Sequence, residues 1–295
     1  MRILILGGGG MLGHKLVQRF QDHFDTWTTL RGEAASMARY GFYDPAKIVS
    51  GVDVDAFDTV AAAVRRVRPD AVVNCVGIIK QLAGAKDPIL SLTINSLLPH
   101  RLHRLCAESG ARLIHVSTDC VFNGRKGRYT EDDPSDAEDL YGRTKFLGET
   151  AGPGALTLRT SIIGRELAGA SGLVEWFLSQ RGGRVQGYTR AIYTGFTTEA
   201  FAAILRSVLA DHPGLHGTLQ VSSEPIDKDA LLRLLNDAYR ARVEIVPADA
   251  VRIDRSLDSS RFRALTGFTP APWSAMVAEM AADPTPYEAW HEGRH

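Results

Sequence analysis

A tyrosine and a lysine lie four residues apart in the chain, at Tyr141 and Lys145. Residues at this spacing share one face of a helix, so the phenol and the ammonium would project together. A free tyrosine has a pKa of about 10 and is a poor acid or base at neutral pH. Because a fixed cation nearby favours the phenolate, the pair predicts general acid–base chemistry.

Two hydroxyl residues, Ser117 and Thr118, precede this pair by one predicted strand–helix unit. They follow a buried apolar run, and open α/β sheets place their ligands at the carboxyl ends of such strands. A hydroxyl there can donate to a substrate carbonyl oxygen as hydride arrives, which stabilises the developing alkoxide. Strand-end capping is the alternative role for either residue taken alone.

A glycine-rich turn joins the predicted first strand to the first helix and contains Gly7, Gly10 and Gly13. Glycine lets the backbone turn tightly and approach a pyrophosphate, and the helix that begins at Met11 and Leu12 offers free N–H groups to that anion. Two glycine spacings fit, so the spacing alone is a weak signal. Its place between a strand and a helix predicts a dinucleotide site.

The residue after the predicted second strand indicates which dinucleotide binds. An NAD site places Asp or Glu there, whereas this chain has Arg31. A guanidinium pairs with a 2′-phosphate through two parallel hydrogen bonds, and a carboxylate would repel it. The sequence therefore predicts NADP(H) as the preferred cofactor, with NAD(H) as the second choice.

The elements that would position these residues alternate between strands and helices. Apolar patterns predict strands at 2–6, 26–30, 71–76, 113–117 and 156–159, and helices at 11–22, 97–109 and around 144–150. Such alternation is typical of a parallel sheet covered on both faces. We expect an α/β fold with a Rossmann-type doubly wound parallel sheet and a smaller C-terminal α/β substrate lobe.

The pattern changes past residue 161, where glycines are frequent and only one helix, at 173–180, is clear. A helix at 198–210 and a strand at 218–221 resemble a return to the sheet. The predicted dinucleotide-binding domain is therefore 1–161 with 196–222, and the predicted substrate-binding lobe is 162–195 with 223–295. The tail 287–295 carries no recognisable pattern.

Composition excludes several classes of protein. The chain has 295 residues, with 34 Lys plus Arg against 34 Asp plus Glu, so net charge predicts neither nucleic acid nor a membrane surface as partner. No apolar run reaches the ~20 residues of a membrane span, and the N-terminus lacks signal-peptide anatomy, so a cytoplasmic location is expected. The three cysteines show no Cys-x-x-Cys spacing and are expected to be packing residues. The sequence permits a homodimer.

Four sequence runs resemble the dTDP-4-dehydrorhamnose reductase branch of the extended short-chain dehydrogenases. They are STDCVFNG at 117–124, YGRTKFLGE at 141–149, LRTS at 158–161 and RSLDSSRF at 255–262. The resemblance implies NADPH-dependent reduction of the keto group of a nucleotide-linked 4-keto-6-deoxy sugar, for deoxysugar and polysaccharide biosynthesis. It also implies that Tyr141 donates the proton, that Lys145 assists it and holds the ribose, and that Thr118 positions the keto oxygen.

The resemblance also assigns roles that spacing leaves open. Asp53 takes the adenine contact, for which Asp55 and Asp58 are equally acidic neighbours, and Asn95 matches an asparagine close to the active site. The predicted cofactor site comprises Gly7, Gly10, Met11, Leu12, Gly13, Arg31, Asp53, Val54, Cys75, Val76, Gly77, Asn95, Ser117, Tyr141 and Lys145. The predicted substrate site comprises Lys80, Thr118, Asp119, Trp176 and Arg255.

Three departures from that branch border the predicted sugar site. Cys120 replaces an aromatic residue, the run CVGIIK at 75–80 replaces an alanine-rich loop, and RAIYTGFT at 190–197 replaces a glutamine-containing motif. Two alternatives to the reductase therefore stay open. One is an NAD(P)-dependent sugar-nucleotide epimerase, in which Cys120 could be an acid–base thiol; the other is a non-catalytic NADP-binding regulatory subunit.

Other polar and aromatic residues receive weaker predictions. Lys80, Arg255 and Arg261 are candidates for the substrate diphosphate. Trp176 could stack on a base or sugar, although packing in the second lobe is an equal alternative. His100 and His103 lie three residues apart with no third ligand nearby, so a polar helix face is predicted there and no metal site.

Overall fold

The computed structural model describes residues 1–80 and 83–292. These residues form two compact units. Unit 1 comprises Met1–Thr118, Glu138–Leu158 and Ala202–Thr218, and unit 2 comprises Asp119–Ala137, Arg159–Phe201 and Leu219–His295.

The described part of the chain contains strands and helices in the following order. The strands are β1 Arg2–Leu6, β2 Asp25–Thr29, β3 Ile48–Val49, β4 Ala71–Asn74, β5 Arg112–Thr118, β6 Ala155–Thr160, β7 Ile162–Ile163, β8 Arg184–Tyr188, β9 Ala191–Tyr193, β10 Phe196–Thr197, β11 Gly217–Gln220, β12 Ile226–Asp227, β13 Glu244–Ala248 and β14 Ile253–Asp254. The helices are α1 Met11–Phe20, α2 Phe57–Val67, α3 Pro88–Ser91, α4 Leu98–Ser109, α5 Leu140–Leu147, α6 Leu173–Leu178, α7 Thr198–Ala210, α8 Lys228–Tyr239, α9 Ser260–Thr266, α10 Trp273–Ala281 and α11 Tyr287–Glu292.

A seven-stranded sheet has the order β11-β6-β5-β4-β1-β2-β3. β1 pairs in parallel with both β2 and β4, and β4 pairs in parallel with β5. The order from β3 to β6 is the strand order of a doubly wound dinucleotide-binding sheet, whose ligand crevice lies beside β1 and β4. The predicted Rossmann-type α/β fold is therefore confirmed.

Buried apolar side chains explain why the elements of unit 1 form where they do. Helix α2 buries Val60, Ala63, Val64 and Val67 on one face, at helical spacing. It ends at Arg68, which adopts a left-handed φ of 50° immediately before a proline. These side chains join β1 and β4 in one hydrophobic cluster that holds the carboxyl ends of the central strands in place.

A continuous run of helix from α3 to α4 contains one irregular segment. Residues Leu92–Leu97 form a π-helical turn between the two α-helical segments. Helix α4 then ends at Gly110, with φ of 72°, as the sequence predicts. π-Helical turns occur frequently at functional sites, and this one contains Asn95.

Unit 2 contains three small sheets and several helices. β10 pairs with β7, β9 lies between β12 and β14, and β13 pairs with β8. Helix α8 begins at Lys228, and the Asp227 side chain caps it by accepting a hydrogen bond of 2.8 Å from Ala230 N. Most of the short strands in 162–197 have no clear pattern in the sequence and were not predicted.

The unit boundaries differ from the predicted domains at residues 119–137, and also at 159–161, 196–201 and 219–222, all of which belong to unit 2. The prediction assigns the whole of 1–161, including 119–137, to the dinucleotide-binding domain. In the structure, the segment 119–137 belongs to unit 2. Phe122 stacks on Tyr129 at 4.1 Å between ring centroids, and both bury against Val121 and Leu257. Residues 119–137 thus pack against Leu257, which lies more than a hundred residues later in the chain and belongs to the same unit.

The C-terminal tail also differs from expectation, since residues Tyr287–Glu292 form helix α11. Tyr287 is buried, and the Arg165 guanidinium donates to Glu288 at 3.1 Å. Within residues 1–80 and 83–292, no helix has both the length and the apolar character needed to cross a lipid bilayer.

Candidate active site

The glycine turn of unit 1 has no room for side chains at three of its positions. Gly7 has φ of 84°, and a Cβ there would lie 2.9 Å from the Val76 side chain. A Cβ at Gly8 would overlap the Thr28 hydroxyl, and one at Gly13 would overlap the Gly7 carbonyl. The backbone of β1 therefore turns into α1 within a few residues, which leaves the helix N-terminus facing the end of the strand.

A groove runs beside this turn within unit 1. It is lined by Gly7, Gly9, Gly10, Thr29, Leu30, Arg31, Cys75, Val76 and Gly77. Six of the predicted cofactor residues are among them, and the close packing of bare backbone fits a dinucleotide pyrophosphate. Leu12, also predicted, has a buried side chain. It can offer a ligand only its main chain.

The structure brings Arg31, which lines the groove, close to Asp53. Arg31 Nη2 lies 3.9 Å from Asp53 Oδ1, and the arginine side chain is 73% exposed. Asp53 also accepts a hydrogen bond of 3.1 Å from Asp55 N, which fixes its carboxylate in a turn after β3. Val54, the neighbouring predicted residue, is buried. The exposed guanidinium is therefore available to an anionic ligand.

Helix α5 carries the tyrosine and lysine on one face. Asp139 caps the helix by accepting a hydrogen bond of 2.8 Å from Gly142 N. Tyr141 is half-buried, whereas Lys145 is buried and donates to the Val116 carbonyl at 2.8 Å. That carbonyl belongs to β5, two residues before Thr118, so the lysine ties α5 to the strand that carries the hydroxyl.

The Lys145 ammonium lies close to the groove. A Cβ added at Gly77 would stand 3.9 Å from Lys145 Nζ. Burial lowers the pKa of Lys145 to about 8, although Glu149 and Cys75 act in the opposite direction. Burial also raises the pKa of the Cys75 thiol to about 12, so that neighbour stays neutral.

Asn95 links the loop after β4 to α5. Its side-chain amide accepts from Ile78 N at 2.9 Å and donates to the Ile78 carbonyl at 3.1 Å. The same NH₂ group donates to Thr144 Oγ1 at 3.2 Å. Asn95 thus uses both ends of its amide to hold the backbone next to Gly77. It also connects that backbone to Thr144, the neighbour of Lys145 on α5.

The two strand-end hydroxyls have different surroundings. Ser117 donates a hydrogen bond of 2.7 Å to Glu149 Oε1, which anchors the strand to the residues just past α5. Thr118 is the last residue of β5 and is 7% exposed. Ser117 therefore anchors the strand to the end of α5, and Thr118 is the strand's last residue.

Lys80, predicted as a diphosphate ligand, lies against the tyrosine. Its Nζ donates to Asp139 Oδ2 at 2.6 Å and stands 5.6 Å from the centre of the Tyr141 ring. The side chains of Lys80 and Asp139 are 37% and 44% exposed. The lysine that follows β4 thus meets the N-terminal turn of α5.

The remaining substrate candidates belong to unit 2. Arg255 donates to the Phe122 carbonyl at 2.8 Å, and its Nη1 lies 3.7 Å from Cys120 Sγ. Trp176 is an exposed aromatic residue of α6, and Asp119 is buried. Arg261 forms an ion pair with Asp132 at 3.0 Å.

A buried polar pair near Lys145 has no counterpart in the sequence predictions. His115 on β5 has no exposed surface, and the Asn74 amide lies 3.1 Å from its Nδ1. Burial, reinforced by Lys145 and His100, lowers the pKa of His115 well below its usual value. The imidazole is therefore neutral. A histidine in an otherwise apolar strand is the signal that could have identified it.

The two histidines of α4 bind carbonyl oxygens. His100 Nε2 lies 2.8 Å from the Leu147 carbonyl oxygen, and His103 Nε2 lies 3.2 Å from that of Pro153. Across the described residues, the structure contains no group of three His, Cys, Asp or Glu side chains arranged to hold a metal ion.

The sheet order and the helix that carries Tyr141 and Lys145 define the extended short-chain dehydrogenase/reductase class. Residues 1–175 match the family described as "RmlD substrate binding domain". The chain belongs to that family.

Two relatives extend the match beyond the family region. A probable dTDP-4,6-dihydroxy-2-methyloxan-3-one 4-ketoreductase of Streptomyces antibioticus is 30% identical over 250 residues, covering 76% of this chain and 72% of the relative. A dTDP-4-dehydrorhamnose reductase of Mycobacterium tuberculosis is 28% identical over 257 residues, covering 82% and 68%.

The fold is shared with solved structures. A dTDP-4-dehydrorhamnose reductase of Bacillus anthracis, solved in complex with NADP, superposes with a TM-score of 0.78 at 19% identity. The superposition covers 96% of this chain and 99% of the other. At that identity, the likeness concerns the fold.

Proposed function

We propose that the protein reduces the keto group of a nucleotide-linked 4-keto-6-deoxy sugar at the expense of NADPH. The observation that carries the proposal is the position of Lys145. Its ammonium lies beside Gly77 in the glycine-lined groove, one helical turn from Tyr141. The reductases among the relatives support the choice of a dTDP-linked sugar.

NADP(H) fits the groove because the positions at Gly7, Gly8 and Gly13 have room only for bare backbone. When bound, NADPH supplies the hydride. Arg31 would hold the 2′-phosphate, and the neighbouring Asp53 would accept the adenine amine. The Asp53 carboxylate lies 3.9 Å from the Arg31 guanidinium. NAD(H) is the second choice of cofactor.

The proton chemistry belongs to residues of unit 1. Thr118 hydrogen-bonds the keto oxygen, and Tyr141 delivers a proton to it as the carbon becomes tetrahedral, so that the ketone becomes an alcohol. Lys145 favours the tyrosinate left behind and hydrogen-bonds the ribose. Its pKa of about 8 means that the ammonium is present at neutral pH.

The sugar and its diphosphate are assigned to unit 2 residues as part of the proposal. Trp176 would stack on the base or sugar, and Arg255 would contact the diphosphate. Arg255 already holds Cys120 and the Phe122 carbonyl, so it is oriented by the backbone of its own unit. A homodimer and a cytoplasmic location remain predictions.

The proposal is tested by measuring NADPH consumption with a panel of nucleotide-linked 4-keto-6-deoxy sugars. We expect Tyr141→Phe to keep near-normal NADPH affinity and to lower turnover by about two to four orders of magnitude, the usual contribution of a general acid. Tyr188→Phe is the matched control, because Tyr188 is also half-buried but lies on β8 of unit 2.

Other outcomes favour the alternatives. Full activity in Tyr141→Phe would refute the assigned proton donor. A change in the sugar's stereochemistry without net NADPH consumption would indicate an epimerase. NADPH binding with no turnover of any panel member would support the regulatory-subunit alternative.

A further inference from the structure

A second lysine besides Lys145 stands next to Tyr141. Lys80 Nζ lies 5.6 Å from the centre of the tyrosine ring. It is held there by Asp139, whose carboxylate accepts the lysine's hydrogen bond at 2.6 Å and also caps α5. One side chain thus fixes both the helix that carries Tyr141 and the cation at its ring.

The other ionisable groups around Tyr141 come from α5 and its flanks and from the elements packed against it. On α5 and its flanks these are Asp139, Arg143, Lys145 and Glu149, and Glu149 accepts from Ser117. The elements packed against α5 add Lys86, from the turn Ala83–Lys86, and Arg112 and His115, from β5.

Two of these groups lose or lack charge in the working range. His115 is neutral, because burial lowers its pKa. Lys145 loses its proton as the pH passes about 8, the value to which burial lowers its pKa. Lys80 lies against the Asp139 carboxylate at 2.6 Å and 5.6 Å from the centre of the Tyr141 ring.

We propose that Lys80 is a positioning residue that favours the ionised form of Tyr141, which is left after proton donation in reduction and accepts the proton in the reverse direction. This deepens the proposed reduction, since it rests on Tyr141 being the proton donor. A cation near an aromatic ring is attracted by its electrons, and more so when the ring carries a phenolate charge. The role differs from the diphosphate contact that the sequence suggests for Lys80.

The size of the effect follows from the surroundings. Asp139 carries the opposite charge next to Lys80, and both side chains are more than one-third exposed. Solvent and the carboxylate screen the field, so we expect a modest change, about half a unit in the titration midpoint of Tyr141.

The first test needs no substrate. Tyrosinate absorbance is titrated in the full-length protein, and the curve of the matching Tyr141→Phe protein is subtracted to isolate Tyr141. We expect Lys80→Met to raise the Tyr141 midpoint by about half a pH unit and Lys80→Arg to leave it near that of the parent protein. In molar salt, the difference should shrink, because the Debye length falls to about 3 Å.

Lys126→Met is the matched control. Lys126 also pairs with an aspartate, Asp133, and stands 5.7 Å from the centre of the Tyr129 ring, but it belongs to unit 2. We expect it to leave the Tyr141 midpoint unchanged. Equal midpoints for Lys80→Met and the parent protein, or equal shifts for Lys80→Met and Lys126→Met, would overturn the proposal.

A kinetic measurement adds the functional readout. In the direction of reduction, Tyr141 must be protonated, so kcat/KM falls on the alkaline side of its pKa. Lys80→Met should move that alkaline limb upward by about half a unit, and in the reverse direction it should lower the rate about threefold at neutral pH. A shifted absorbance midpoint in a protein that turns over no sugar would support Lys80 and refute the reductase. Turnover of a sugar with no shift of the alkaline limb would support the reductase and refute the role of Lys80.

Discussion

Lys145 is a residue whose burial opposes folding. Its side chain is 5% exposed, and burial lowers its pKa from the ordinary 10.5 to about 8. Below pH 8 the lysine is charged in both the folded and the unfolded chain, so the full desolvation cost is present. As the pH rises from about 8 to 10.5 the folded state releases its proton first, and the cost disappears. Positions used for chemistry often carry such a cost.

We therefore expect Lys145→Met to make the protein more stable and inactive. The pKa change corresponds to a cost on the order of 3 kcal/mol, and losing the hydrogen bond to the Val116 carbonyl removes about 1 kcal/mol. The net gain in the free energy of unfolding should be about 2 kcal/mol at pH 6.5 and clearly smaller at pH 9.5. Urea unfolding at both pH values measures this gain.

Lys126→Met serves as the control for removing an exposed, paired lysine. A loss of stability at pH 6.5 would contradict the expectation.

Arg31 lies next to Asp53, so we expect its substitution to weaken NADPH binding more than NADH binding. Arg31→Ala removes a charge-assisted contact worth about 1.5–3 kcal/mol and leaves Asp53 to repel a 2′-phosphate. We expect NADPH to bind about 10- to 100-fold more weakly, with NADH changed less than about threefold.

Isothermal titration with the two cofactors measures this difference. Arg184→Ala, at an exposed arginine of unit 2, is the control. Equal losses for NADPH and NADH would show that Arg31 does not contact the phosphate.

Helix α5 is the element on which the candidate site depends, and its position rests on one glycine. A Cβ at Gly148 would overlap the carbonyl oxygen of Asn95 in the π-helical turn. The end of α5 therefore approaches the backbone of the preceding helix more closely than any side chain would allow. Asn95, in that same turn, holds Thr144 and the loop after β4.

Gly148→Ala should accordingly destabilise the protein and displace the tyrosine–lysine pair. The obstacle is backbone, which cannot move aside as a side chain can, so we expect a loss of about 1–3 kcal/mol in the free energy of unfolding. Turnover should fall by more than the unfolded fraction explains, because misplaced catalytic groups are inefficient.

The control for that substitution is Gly214→Ala, where an added Cβ would meet no atom within 4 Å. Thermal unfolding and kcat, measured on both proteins, check the prediction. Equal stability of the two variants would show that the contact between α5 and the π-helical turn is loose.

Much of the element pattern could be predicted from the sequence, because it depends on local spacing. β1 and α7 have their predicted bounds, and α4 ends at the predicted residue, Ser109. The π-helical turn and the close approach at Gly148 could not be predicted, since both depend on two helices meeting. For the same reason the position of Lys80 at the Tyr141 ring has no local signal: 61 residues separate them in the sequence.

On the scale of the whole molecule, unit 2 is held together by a buried charge network that includes the tail. Arg165 is buried and pairs with Glu175 at 2.6 Å, and it reaches Glu288 on α11 at 3.1 Å. The pKa of Glu288 is lowered: burial alone would raise it, but Arg165, a backbone hydrogen bond and Arg181 together outweigh that effect. The carboxylates that pair with Arg165 lie 10 and 123 residues away in the sequence, so no local pattern connects the tail to this arginine.

The path of the chain between the two units determines when each can be completed during synthesis. The chain crosses between them five times, and the last segment of unit 1, Ala202–Thr218, is translated after two excursions into unit 2. Arg112 at the start of β5 needs that segment, because its guanidinium donates to the carbonyls of Val208 and Leu215. The dinucleotide-binding half thus cannot finish on the ribosome before residue 218 has emerged. A gene fragment that stops at residue 175, where the family match ends, encodes neither unit whole.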